Sequence, residues 1–388
     1  GSATPGRFNL STFTVLTESC RSVELSISSA LISLPEINQR VLPQIMIVVD
    51  GVPFSAHSSS TSQGIDTLRA LLENPFVVSA SNSFKAIPER NFSVSGESCS
   101  DGSKWVYVFQ SEYATVDPAL VDFVGTDEAT TCVGLAIRNR SNGMTSLAHM
   151  DSPNIVDIGL SQMLSLLVDH NMETEFEVHL IGGFEDVSPK HANGRAESET
   201  HSDLDGYSFP LCSKIVQALC TREETFHLQT FCVLGHNTRR DSYGNAFPIF
   251  NGFVVETMTG RVIPASFDRT SRCPDEIVRG IRVTASFEDP SGNGKLLETY
   301  DTETDRFIIA PCRWTLRQYH IASALIHCSD SEILPLCSTS PDAEGADFVD
   351  SLRRKWNYLI EHPYWTETFP KQQPRIFERT ADGGWKRC

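Results

Sequence analysis

Residues 125–151 constrain this chain more than any other stretch; they read GTDEATTCVGLAIRNRSNGMTSLAHMD. Cys132 opens an apolar run, Val133-Gly134-Leu135-Ala136-Ile137. A polar break over residues 138–143 follows, and a second apolar run from Met144 ends at His149. Two β-prone runs joined by a short polar loop ending in Asn-Gly predict a hairpin. Cys132 and His149 lie symmetrically about Arg140-Ser141, so the hairpin would set thiol and imidazole roughly opposite each other. Side chains so placed sit about 5 Å apart. An imidazole there can hold a thiolate as an ion pair, and the thiolate is the nucleophilic form. A plainer reading stands beside this one. The chain has 11 Cys and 11 His, so some such pair arises by chance. A free Cys usually just packs as a small apolar side chain.

Composition narrows the function classes. At 388 residues the chain can bury the core of one large or two modest domains. The net charge of −17 argues against a nucleic-acid-binding surface, which needs basic patches. It would mildly attract a cationic peptide terminus. The 11 cysteines are odd in number, scattered and without C-x-x-C. That is neither a disulfide framework nor a zinc pattern, and it suits a reducing compartment: the cytoplasm, with the nucleus as a second. No apolar run approaches the roughly 18 residues of a membrane span, so no membrane contact is expected. A monomer is expected.

Residues 1–45 are Ser/Thr-rich and read as an extension, with Gly1-Ser2 as an expression scar. Residues 46–388 read as one catalytic domain opening on the strand Ile47-Val48-Val49. Helices are expected over residues 62–73, stopped by Pro75, and over 155–170 and 210–219, the last with Cys212 and Cys220 as core thiols. A further helix is expected over 274–285 with Pro at its start, and a final long one within 341–361. Strands are expected at 104–110, 177–181, 226–234, 246–256, 261–265 and 307–310. Residues 186–207, with His191 and His201, read as a long loop without metal-ligand spacing. Strands clustered between well-spaced helices predict an α+β fold: β-sheets with outer helices.

The order Thr126, Cys132, His149 on a strand–turn–strand resembles the chemoreceptor glutamine deamidase superfamily. The local GTDEATTC and His149-Met150-Asp151 are more similar to the protein N-terminal asparagine amidohydrolases. Two further stretches carry the same resemblance: His179-Leu180-Ile181-Gly182-Gly183-Phe184, and Ser338-Thr339-Ser340-Pro341 followed by Glu344 and Phe348-Val349. The similarity runs from Met46 to the C-terminus. It implies an enlarged deamidase-like αββ sandwich with no metal or organic cofactor. It also implies an activity that converts an N-terminal Asn of a protein or peptide to Asp and releases ammonia. The product can then be arginylated and degraded. Cys132 would be the nucleophile and His149 its base. By the same resemblance Thr126 would orient the imidazole, with Asp151 as the second candidate.

Other roles are less determined. The backbone N–H of Cys132, with a hydroxyl of Thr130 or Thr131, would meet the developing oxyanion; strand packing accounts for both threonines as well. A free substrate ammonium needs a carboxylate. Asp127 ranks first for it, ahead of Glu128, Glu185 and Asp186, all otherwise solvated loop acids. Choosing Asn over Gln rests on the resemblance alone, since one methylene is worth only about 1–3 kcal/mol. Ser340 stands in a helix-start sequence, where it either caps the helix or faces the substrate. Two rivals remain: a deamidase of internal Gln or Asn, and a non-catalytic module for protein N-termini with Cys132 as an unreactive core thiol.

Overall fold

The structure, a computed structural model, describes residues 47–54, 63–94, 102–168, 174–187 and 206–388. The N-terminal extension and most of the 186–207 loop, with His191 and His201, lie outside the described residues. The central hairpin forms the middle of an eight-stranded sheet. Its spatial order is β15 (Leu297–Glu298), β5 (Glu112–Val116), β8 (Thr145–Met150), β7 (Val133–Asn139), β9 (Glu175–Gly182), β10 (Thr225–Cys232), β1 (Ile47–Val49) and β2 (Val52–Phe54). A five-stranded sheet runs β3 (Arg90–Phe92), β14 (Val262–Phe267), β13 (Phe253–Glu256), β6 (Phe123–Thr126) and β4 (Trp105–Tyr107). Two small sheets complete the strands. One is the hairpin β11 (Thr238–Arg240) and β12 (Ala246–Pro248). The other is β16 (Tyr300–Asp301), β17 (Arg306–Ile309), β18 (Arg375–Arg379) and β19 (Trp385–Arg387).

Period-two alternation sorts the hairpin's side chains into two cores. Val133, Leu135, Ile137, Ala148 and Met150 point to one face. There they meet Leu68 and Leu71 of α1 (Gln63–Glu73), Leu160 and Met163 of α3 (Val156–Leu164), and Leu211 and Ile215 of α4 (Ser208–Cys220). Ala136 and Leu147 point to the other face, against Val124, Phe253 and Val255 of the five-stranded sheet. That sheet's outer face buries Phe92, Trp105, Tyr107, Phe123 and Phe267. Helices, sheet and second sheet thus stack as αββ layers within an α+β fold. Strands buried on both faces read as continuous apolar runs, which is why β7 and β8 were visible in the sequence. The C-terminal helices close the second core through Val278 and Ile281 of α5 (Glu276–Ser286) and Leu325 of α6 (Leu316–Leu325). Ile333 of α7 (Asp330–Cys337) and Trp356 of α8 (Phe348–Glu361) join them. Among the described residues no helix is long and apolar enough to cross a membrane.

One proline expectation holds with an addition, and two need correction. The helix expected to stop before Pro75 does end at Glu73, and Pro75 in addition opens a second helix, α2 (Pro75–Lys85). The Asn74 side chain accepts from the N–H groups of Phe76 and Val77 at 3.0 and 3.3 Å, and Pro fits the first helical turn because no N–H is needed there. Pro274 lies outside its helix, which begins at Glu276. Pro341 opens only the three-residue turn Pro341–Ala343, while the long helix starts at Phe348. The helix expected over 155–170 is shorter, Val156–Leu164.

Candidate active site

The hairpin register decides how thiol and imidazole meet. Arg138 pairs with Thr145, Gly134 with His149 and Val133 with Met150. The pairing therefore centres between Ser141 and Asn142, one residue beyond the expected midpoint, which shifts each partner by two. Gly143, at φ 77°, closes the turn by donating to Asn139 O at 2.9 Å. His149 consequently faces Gly134. Cys132 lies two residues along the same face, a diagonal rather than a direct neighbour. Diagonal partners are about 7–8 Å apart at the backbone, within the reach of a thiol and an imidazole.

Gly134 serves a second purpose. A Cβ there would lie 2.3 Å from Phe253 Cε1 and 3.3 Å from Thr126 Cγ2. Its absence lets the five-stranded sheet settle onto the hairpin and carry Thr126 to His149. The Thr126 hydroxyl donates to the Val108 carbonyl at 2.7 Å and sits 2.8 Å from His149 Nδ1. Its one proton being used, the oxygen accepts from Nδ1–H. The imidazole is thereby held with its proton on Nδ1 and its lone pair on Nε2. That Nε2 is buried and has no hydrogen-bond partner. Burial pulls His149 down to about 4, against the opposing Glu112 carboxylate. The resting ring is neutral at pH 7 and able to accept a proton, so burial disfavours the standing ion pair expected from the sequence. Glu112 is itself held by Arg279 at 2.7 Å, both fully buried.

The segment before Cys132 is tied down from several sides. Asp127 follows Thr126, so alternation turns it to the opposite face of the second sheet. Its carboxylate accepts from the Tyr107 hydroxyl at 2.6 Å, the Phe267 N–H at 2.7 Å and Arg272 Nη2 at 3.2 Å. The structure thus directs this first-ranked ammonium candidate away from the Thr126–His149 contact. Arg272 also meets Glu128 at 2.7 Å and Asp347 at 3.3 Å. Burial pushes Glu128 up to about 7, with Arg272 pulling it back and Asp127 and Asp347 adding to the rise. Glu185 pairs with Arg240 at 2.5 Å on the surface. Asp186 accepts from the N–H groups of Tyr207 and Ser208 at 2.7 and 3.3 Å, at the start of α4.

Thr130 and Thr131 are buried, and Cys132 is half-buried. The Thr131 carbonyl accepts from the Ser208 hydroxyl at 3.3 Å. Its own hydroxyl lies 3.0 Å from that of Thr339, 208 residues away. Gly182, at φ 115°, passes so close that a Cβ would lie 2.7 Å from the Cys132 carbonyl oxygen. The separated motifs therefore converge around Cys132. Ser338 accepts from the Ser340 N–H at 2.9 Å and donates to Glu344. Ser340 Oγ caps no helix; it is buried without a partner. Asp151 does not orient His149. Its Oδ2 accepts from Gln110 Nε2 at 3.2 Å and from the Ser111 hydroxyl, while Oδ1 is buried without a partner. Sequence reasoning missed Val108, Arg272, Tyr107 and Ser111, whose proximity only the fold creates. Among the described residues no three His, Cys, Asp or Glu side chains gather as a metal site.

A half-buried Cys132 and a neutral imidazole held by Thr126 thus lie at the same end of the hairpin. The chain belongs to the protein N-terminal asparagine amidohydrolase family, a family of hydrolytic enzymes: the model of that family matches residues 95–387. It is 57% identical over 350 residues to the protein N-terminal asparagine amidohydrolase of Arabidopsis thaliana, covering 88% of this chain and 100% of that one. The proteins of the same name from Sus scrofa and Homo sapiens are 31% and 30% identical, each alignment covering 83% of the relative and 72% or 73% of this chain.

Proposed function

We propose that this chain hydrolyses the side-chain amide of an N-terminal asparagine, giving an N-terminal aspartate and ammonia. The observation that carries the chemistry is the Thr126–His149 contact, which leaves a buried, unpartnered Nε2 on the face shared with Cys132. The choice of substrate is supported by what the relatives are named for.

In this reading Cys132 Sγ attacks the carboxamide carbon as its proton passes to His149 Nε2. The C–N bond breaks, His149 returns the proton to the departing nitrogen, and ammonia leaves a thioester. Water then gives a proton to Nε2 and its oxygen to the acyl carbon. The thioester C–S bond breaks, and the thiol recovers the proton. Thr126 holds the ring throughout, and its oxygen stabilises Nδ1–H as the imidazolium forms. The Cys132 N–H and the Thr131 hydroxyl are the proposed oxyanion donors. The product terminus would feed arginylation and degradation in the cytoplasm or nucleus, and the enzyme would act as a monomer.

The test is ammonia release from two peptides that differ only in a free or acetylated N-terminal Asn, with wild type and Cys132→Ala. Release from the free peptide alone, abolished in the variant, is expected. Release from both peptides would make this a deamidase of internal residues. Binding of the free peptide without release would make it a recognition module.

A further inference from the structure

Converting only a terminal asparagine requires a group that reads the free ammonium, and the acids ranked first for it from sequence are engaged elsewhere. Asp127 and Glu128 meet Arg272, Glu185 meets Arg240, and Asp186 caps α4. Asp151 differs. The donors that bond it, Gln110 and Ser111, are neutral and go to Oδ2. Oδ1 is buried and has no hydrogen-bond partner. A buried carboxylate oxygen with neither donor nor cation is costly, so the site is incomplete until a donor arrives.

Register puts that oxygen where the substrate would be. Val133 with Met150 is the last pair of the ladder, and Cys132 and Asp151 are the next residues outward on the two strands, so both lie at the same end of the hairpin. The last paired residues are about 5 Å apart, which keeps the two that follow them close. In an N-terminal asparagine the amide carbon and the α-nitrogen are three bonds apart, roughly 3–4 Å for bonds near 1.5 Å. A substrate whose amide carbon reaches Cys132 Sγ therefore carries its ammonium into the space beside Asp151. Building on the amidohydrolase reading above, we infer that Asp151 Oδ1 receives the substrate α-ammonium, with Ser111 and Gln110 holding the carboxylate in place. Burial raises the empty carboxyl, with Ser111, Gln110 and Ser152 pulling it back. An arriving cation would reverse that rise. The ammonium thus contributes the charge the pocket lacks, and an acetylated or internal asparagine cannot. Glu344, bonded to Ser338, is the competing acid.

The test compares kcat/KM for ammonia release from a peptide with free N-terminal Asn and from its des-amino counterpart, which begins with a 3-carbamoylpropanoyl group. Asp151→Asn should lower the value for the free peptide about hundredfold, the size of a lost buried charge-assisted bond. The des-amino value should stay within about twofold, and the rate of Cys132 alkylation by iodoacetamide should not move. Equal losses on both substrates, or slowed alkylation, would overturn the assignment and make Asp151 part of the thiol–imidazole machinery. An unchanged free-peptide value would also overturn it, and a selective loss in Glu344→Gln would reassign the role. If Asp151→Asn does not fold, Ser111→Ala decides: a selective loss of about fivefold on the free peptide supports the inference, and no selective loss overturns it. Wild type that releases ammonia from neither peptide would sink the amidohydrolase reading itself, a result distinct from all of these.

Discussion

One hydroxyl proton organises the candidate site. Because Thr126 donates to Val108, it must accept from His149, and the imidazole loses its choice of tautomer. Thr126→Val keeps the shape and removes the acceptor, leaving Nδ1–H unsatisfied at a cost of about 1–3 kcal/mol. Ammonia release should fall roughly tenfold to hundredfold, while Thr126→Ser should retain most of it. The burial that keeps His149 neutral also sets a pH dependence. Its folded value of about 4 lies below the ordinary 6.5, so the folded state prefers the neutral ring. The resulting stability, about 3 kcal/mol, is fully present above pH 6.5 and is lost as pH falls from 6.5 through 4. His179, pulled down to about 3 by burial with Arg138 adding, acts in the same direction. Urea unfolding at pH 7.5 and pH 5 should show the loss, and His149→Gln should show less of it. An equal loss in the variant would mean that the ring is charged when folded.

At the scale of elements, the hairpin was legible because β7 and β8 are apolar runs bounded by turn residues. The exact pairing was not, since it depends on how Asn139 and Gly143 close the turn. The approach of the second sheet was also hidden, because a glycine in a strand signals nothing about its neighbour. Gly134→Ala should overpack against Phe253 and destabilise the fold by about 1–3 kcal/mol, visible as a lower Tm. Activity should fall more than stability does, since the same shift separates Thr126 from His149. Adding Phe253→Leu should recover part of both, the two sites being in contact. Pro75 was read as a stop, which it is, but the helix it opens was missed for a physical reason. Proline marks the first turn of a helix as readily as the end of one, and only Asn74, through its cap, tells which.

For the whole molecule, residues distant in sequence hold the nucleophile segment. Arg272 gathers Asp127, Glu128 and Asp347. Arg272→Met would strand the buried Asp127 and should cost about 3–5 kcal/mol in urea unfolding, with activity lost as the 127–132 segment loosens. Thr339→Val removes a contact with Thr131 at the surface of the same segment. It should leave Tm nearly unchanged and lower kcat, which would tie the C-terminal Ser/Thr motif to the reaction rather than to helix capping. By itself the sequence determined the alternation of β7 and β8, the hairpin that brings Cys132 and His149 to the same end of it, and the family. Each follows from local periodicity or from contiguous motifs. The resemblance also named Thr126 as the orienting hydroxyl, while only the tertiary structure decided which acids are spent in ion pairs and which nitrogen of His149 is free. Those depend on side chains brought together across layers from 23 to 145 residues apart, and no local pattern encodes such a partner.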